Sequence, residues 1–320
     1  MINILDSIQP VIKNSVDVKI NQDAVLDFVK HLSEKDFEHE NLLAMTKEWN
    51  WEQEQYLAFV IFLEALNFSY WGEPKWAIKY KEKEYDGFYG MIYCLKRAID
   101  NDYPIFNAKY LKDLKENDFK EIFKGNTEIP LAQERFEIIK DLGEILEKDF
   151  LGLFSQVIES RQWEALSIVE ILAEKFPNIF NDIANYQGNI VSFYKRAQLV
   201  PAHLKELFDL EIISKKVKSL EKLTAFADYK VPQSLRKYKI TEYSIDLANK
   251  VDNMIEIPAG STQEIEIRAN TIWAIELIKE QLKKKNPDVN SVQVDELLWL
   301  KGQNKSPDDK PYHRVRTIWY

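Results

Sequence analysis

Few segments of this 320-residue chain bring together residue types that could do chemistry. The most unusual is LTAFADYKVPQSLR, residues 223–236, where Asp228 stands between Phe226 and Tyr229 and is followed by Lys230 and Pro232. Proline biases the residue before it toward extended backbone, so Pro232 predicts a helix that ends near Lys230. An acid at that junction either braces the turn or points into a cleft. Upstream, FYKRAQ sets two adjacent cations, Lys195 and Arg196, in an otherwise apolar stretch. Such a pair is either solvated or lies beside a carboxylate, a catalytic acid or a substrate phosphate.

Two aromatic segments complete the candidates. LNFSYW, residues 66–71, ends an apolar run with Phe68 and Trp71 around Ser69; such rings fill a core or stack on a flat base. VDELLW, residues 294–299, places Asp295 and Trp299 four apart and so on one helix face. Asp295 either reaches a ligand or is a first-turn acid favoured by the helix dipole. The tail YHRVRTIWY adds His313, Arg314 and Arg316, as phosphate contacts or as a paired surface strand.

The elements that must position these residues read as helices. Only 9 Gly and 11 Pro punctuate the chain, fewer than tight-turned β architectures need. Residues 52–68 are apolar on most sides and predict a buried central helix. Pro130 opens a helix marked by Leu131, Ile138, Ile139, Leu142, Ile145 and Leu146, and residues 153–175 predict another long one. Ser261 with Glu264 has the capping-box spacing, and Ser291 can cap a shorter helix through Leu298 with Gly302 beyond it. Strand candidates are Asp17–Ile20, Ile255–Ile257 and Val315–Tyr320; the basic stretch 301–311 reads as an exposed loop. The expectation is one compact unit over residues 1–320, with residues 1–100 as an optional helical subdomain.

Composition removes several functions. One cysteine and four scattered histidines give no zinc spacing, so no metal is expected. No GxGxxG, P-loop, GxSxG elbow or HExxH occurs. The start, MINILDSIQPVIKN, lacks a secretory pattern. The most apolar run, Tyr56–Phe68, is interrupted by Glu64 and falls short of the ~20 residues of a membrane span. A soluble, cytoplasmic protein is expected, without membrane contact. A net charge of −9 argues against a long nucleic-acid ligand and leaves a small phosphate or a cationic group open.

In order along the chain, LNFSYW, FYGMIYCLKRAID, IPLAQER, FYKRAQLVPAHL, LTAFADYKVPQSLR, QEIEIRANTIWAIE, VDELLW and HRVRTIWY resemble the queuosine salvage protein family from about residue 56 onward. The resemblance implies an N-glycosidase that releases queuine from queuosine 5′-monophosphate. It implies a mainly α, compact fold similar to helical DNA glycosylases, with at most a small peripheral β-sheet. Asp228 would be the catalytic acid, Lys195 would share its site, and Asp295 would contact the base. Phe68, Ser69, Trp71, Phe226, Tyr229, Lys230, Trp299, Arg196 and Arg316 complete the candidate substrate contacts. The expected partner is the small nucleotide alone, with no cofactor and no stable nucleic-acid complex.

The sequence departs from the family pattern in three places. Leu300 follows Trp299 where relatives often carry an acid, Lys230 stands where many have Arg, and HLSEKDFEHENLLAMTKEWNW offers no His-Pro motif. The implied chemistry passes through an oxocarbenium-like sugar, which a carboxylate at Asp228 would stabilise. A 7-deazapurine has carbon in place of N7, so protonation there cannot assist departure, and more of the stabilisation falls on the sugar side. The secondary ammonium of queuine suits an acidic pocket. The alternative is a nucleic-acid binding or repair protein on the same scaffold; a helical interaction module is a third reading.

Overall fold

The computed structural model describes residues 3–304, 306 and 309–320. It is mainly helical, with three separate two-stranded antiparallel sheets: Val18–Ile20 with Thr241–Tyr243, Ala77–Tyr80 with Lys83–Asp86, and Ile183–Tyr186 with Asn189–Ser192. Seven helices carry the argument: α1 (Gln53–Ala65), α2 (Gly87–Asp100), α3 (Ala132–Asp149), α4 (Lys195–Asp209), α5 (Lys230–Lys237), α6 (Thr262–Leu282) and α7 (Ser291–Lys301).

Helix α1 is the hub because its sequence allows no wet face: every residue from Tyr56 to Ala65 is buried. Glu52 and Gln55 form a capping box at its start. It packs against α4 and α2 in the larger core, which also takes the apolar faces of α3 and of residues 154–180. A second core gathers residues 4–29, α5, α6 and α7. Val18, Ile257, Ile267, Val315 and Tyr320 belong to a third cluster that seats the C-terminal tail.

Several boundaries differ from the sequence reading. The helix expected over 153–175 is two, Phe154–Glu159 and Ala165–Lys175. Gln162 and Trp163 between them have φ of 51° and 62°, and the break is satisfied by residue 218, which exchanges hydrogen bonds with Trp163 and Ala165. Helix α5 begins where a helix was expected to end. Pro232 lies in its first turn, where a missing N–H leaves no helical bond unmade. Ser261 caps α6 as expected, but Glu264 accepts the N–H of Gly260 at 2.9 Å, and the Ser261 N–H donates to the Pro258 carbonyl at 3.1 Å instead. The cap of α7 is Asn290, boxed with Gln293, and Ser291 is its first residue. Asp17–Ile20 does form a strand, over Val18–Ile20. Ile255–Ile257 and the tail form none; they share a single bridge, Glu256 with Arg314. Part of the expected loop 301–311 lies outside the described residues.

Candidate active site

The site is built on the C-terminal end of α1. A helix end leaves carbonyls without partners, and here each carbonyl from 64 to 68 receives a buried cation. Arg196 donates to the carbonyls of Glu64 and Ala65, Arg135 to those of Leu66 and Phe68, and Lys195 Nζ to that of Asn67 at 3.2 Å. The guanidinium carbon of Arg135 lies 4.0 Å from the centre of the Phe68 ring and that of Arg196 lies 4.9 Å from it. Lys195 opens α4 directly after Tyr194, whose φ is 49°.

A cavity of about 350 Å³ opens beside this end, within the ~300–1,000 Å³ of small-molecule sites. Asn67, Phe68, Tyr70 and Trp71 line it from the segment after α1, Lys195 and His203 from α4, and Phe226, Asp228, Tyr229 and Lys230 from the loop entering α5. Asp295, Glu296 and Trp299 reach it from α7, and Phe88 from the first turn of α2. The Phe88 ring lies 5.6 Å from His203 and 6.2 Å from Trp299, so it joins two walls.

Asp228 is almost wholly buried. Its Oδ1 accepts the N–H of Lys230 at 2.8 Å and of Val231 at 2.9 Å, so that it satisfies the first two N–H groups of α5 from the position before the N-cap, Tyr229, while Oδ2 accepts no hydrogen bond from the described residues. Burial pushes its pKa up; Lys195 and the two N–H groups oppose that shift. Asp295 lies in the same cavity, with Oδ1 accepting the Phe226 N–H at 2.8 Å. Burial, and after it the charge of Asp228, drives the Asp295 pKa well above the ordinary carboxylate range. The two acids are thus separated in affinity for a proton. Burial lowers the pKa of Lys195, against the pull of Glu64 and Asp228.

Nine of the twelve residues expected in the site line the cavity: Asp228, Lys195, Phe68, Trp71, Phe226, Tyr229, Lys230, Asp295 and Trp299. Ser69, Arg196 and Arg316 do not. Ser69 clasps the tail: its Oγ donates to the Thr317 carbonyl at 2.7 Å and its N–H to that of Tyr320 at 2.9 Å. Arg196 is spent on carbonyls, and the Arg316 guanidinium carbon lies 3.6 Å from the centre of the Trp71 ring. His313 is buried against the Tyr320 hydroxyl, and Arg314 pairs with Glu73.

Sequence reasoning missed a second cluster at the cavity. Glu64 Oε1 lies 2.9 Å from His203 Nδ1, and Oε2 accepts from Asn67 Nδ2 at 2.9 Å. Glu206 and Glu296 line the cavity nearby; burial lifts Glu206 to about 7. The signal for Glu64 was present, a lone acid inside the most apolar run of the chain. Leu300 does not line this cavity, whereas Glu296, one turn earlier on α7, does. The segment lacking a His-Pro motif supplies Leu42 to the wall and the Leu43 N–H to Glu206 at 3.1 Å.

Comparison with known proteins agrees with the motifs. The sequence model of the queuosine salvage protein family matches residues 47–320, beginning somewhat before the motifs do. A protein of Sphaerobacter thermophilus is 37% identical over 100% of this chain and 98% of its own length. One of Mus musculus is 32% identical over 82% of each chain, and one of Schizosaccharomyces pombe 26% over the whole of both. All three bear the name queuosine 5′-phosphate N-glycosylase/hydrolase. The chain belongs to the queuosine salvage protein family.

Proposed function

We propose that this protein hydrolyses the N-glycosidic bond of queuosine 5′-monophosphate and releases queuine, with Asp228 as the acting carboxylate. The observation that carries this reading is the pair of buried acids lining one cavity with Lys195, Asp228 with Oδ1 fixed by two N–H groups and Asp295 held by the Phe226 N–H and raised further by the charge of Asp228. Unequal carboxyl pairs of this kind divide acid from base work.

Asp228 lines the cavity with Oδ1 held by two N–H groups, which leaves Oδ2 for the substrate. Set below the anomeric carbon, that oxygen stabilises the positive charge developing on the sugar as the bond to the base breaks. Lys195 acts on Asp228 through space and favours its ionised form against the effect of burial. Asp295, held toward its protonated form, donates to an acceptor on the leaving base and draws off the charge that N7 of a purine would have taken. Phe68, Trp71 and Tyr229 supply flat faces for the base, and Lys230 supplies a cation for the phosphate. The acidic end at Glu206 and Glu296 suits the ammonium group of queuine.

The test is incubation with queuosine, its 5′-monophosphate and ordinary nucleoside monophosphates, following free base by chromatography. Base released only from the deazapurine monophosphate supports the reading; no release from it overturns the reading.

A further inference from the structure

Both residues proposed to act are fastened through their backbones to one buried ion pair outside the cavity. Arg268, on α6, donates Nη1 to Asp182 Oδ1 at 2.9 Å and Nη2 to Asp182 Oδ2 at 2.5 Å. Its Nε donates to the carbonyl of Ala227 at 3.2 Å, the peptide that leads into Asp228. On the other side, Asp182 Oδ2 accepts the N–H of Lys195 at 3.3 Å. The main-chain carbonyl of Asp182 also accepts from Phe193 at 2.9 Å and Tyr194 at 3.3 Å, the residues that deliver Lys195 to the head of α4.

We infer that Asp182 and Arg268 are positioning residues that set the spacing between Asp228 and Lys195. Neither lines the cavity, so neither touches the substrate. The bidentate fork is planar and rigid, and its third donor points at a second backbone. The guanidinium carbon lies 3.9 Å from the centre of the Phe193 ring and 4.4 Å from that of Tyr320, so the plane cannot tilt freely. Glu264 Oε1, 3.5 Å from Nη1, gives the arginine a second acid.

Stability gives a poor account of this arrangement. A buried ion pair recovers little more than its desolvation cost, and apolar residues of the same volume often serve as well. Apolar residues could not bind an N–H at one end and a carbonyl at the other. The arrangement is explained by what it joins. A shift of about 1 Å between groups that must act together costs on the order of 10²-fold in rate.

The inference rests on Asp228 and Lys195 as the acting pair, and the experiment separates the two claims. Arg268→Lys and Asp182→Asn are made in the full chain, with Glu266→Gln as control. Glu266 lies on the same helix and is fully buried, but its Oε2 accepts the N–H groups of Val16, Asp17 and Val18, away from the cavity. Turnover of queuosine monophosphate is measured across pH, together with Tm. For Arg268→Lys we expect kcat lower by about 10²-fold with KM changed less than about threefold. The acid limb of the profile should move up, because Lys195 no longer holds Asp228 ionised as well. Glu266→Gln should keep kcat within about twofold when compared at the same interval below its own Tm.

Should Arg268→Lys not fold, Asp182→Asn carries the same expectation, since it keeps an acceptor for the Lys195 N–H and removes the charge that orients Arg268. A folded brace variant with kcat within about twofold of wild type, or with an unmoved acid limb, overturns the inference. So does an equal loss of kcat in Glu266→Gln. Turnover persisting in Asp228→Asn overturns the choice of acting pair instead, and the brace with it.

Discussion

Oδ1 of Asp228 lies 2.9 Å from the backbone N–H of Val231, so the acid proposed to act on the sugar also closes the first turn of α5. The two readings open at the sequence level, a brace and an acid in a cleft, are both expressed by one side chain. One oxygen holds the helix and fixes the direction of the other.

That division of labour separates two substitutions. Asp228→Asn keeps an oxygen for the two N–H groups, and turnover should fall by on the order of 10²–10³ or more. Its Tm should not drop. The unfolded chain releases the Asp228 proton at a lower pH than the folded one, so the ionised side chain costs stability at neutral pH, a cost that Asn removes. Asp228→Ala also loses the two hydrogen bonds to the first turn and should be about 1 kcal/mol less stable than Asp228→Asn. Queuine release and thermal melting of the two variants check this; near-wild-type turnover in Asp228→Asn would sink the assignment.

The pH profile of kcat should be bell-shaped. Activity needs Asp228 ionised, and its raised pKa places the acid limb above the ordinary carboxylate value of about 4. The alkaline limb reports loss of the Asp295 proton. Asp295→Asn keeps a donor toward the base and an acceptor for the Phe226 N–H, so the variant should retain part of the activity and lose the alkaline limb. An alkaline limb unchanged in Asp295→Asn would remove Asp295 from the acid role.

Lys195→Met should lower kcat and shift the acid limb upward, since Lys195 is the strongest influence opposing the effect of burial on Asp228. It also leaves the Asn67 carbonyl without its donor. An unchanged rate with an unchanged profile would reduce Lys195 to a cap on α1.

Binding of duplex DNA or tRNA should be negligible at physiological salt, given the net charge of −9. A mobility-shift titration against salt checks it. Tight binding that weakens steeply with added salt would revive the nucleic-acid reading.

The sequence showed Asp228, Asp295 and five of the cavity's rings because they cluster in short, unusual segments, and it passed over the acids Asp86, Glu206 and Glu296. It misread what surrounds them. Pro232 serves equally as a stop after one helix and as a member of the first turn of the next, and only the hydrogen bonds to Asp228 decide between them. The break at Gln162 and Trp163 has no Gly or Pro to announce it; it exists because residue 218 arrives from far along the chain to take its hydrogen bonds. Val315–Tyr320 alternates like a strand, yet its partners are side chains and the turn at Ser69. Arg196 stood out for its charge and proved committed to carbonyls that periodicity cannot display. No helix among the described residues is long and apolar enough to cross a membrane, as the interruption at Glu64 suggested.

The row of carbonyls from Glu64 to Phe68 has a consequence for how the protein comes into being. Its donors come from α3 and from α4, so the end of α1 is satisfied only after all three helices have docked. The same contacts hold the Lys195 ammonium at the cavity wall. Loosening either helix from α1 should therefore disturb the cavity wall, so that turnover also reports how firmly α3 and α4 are seated.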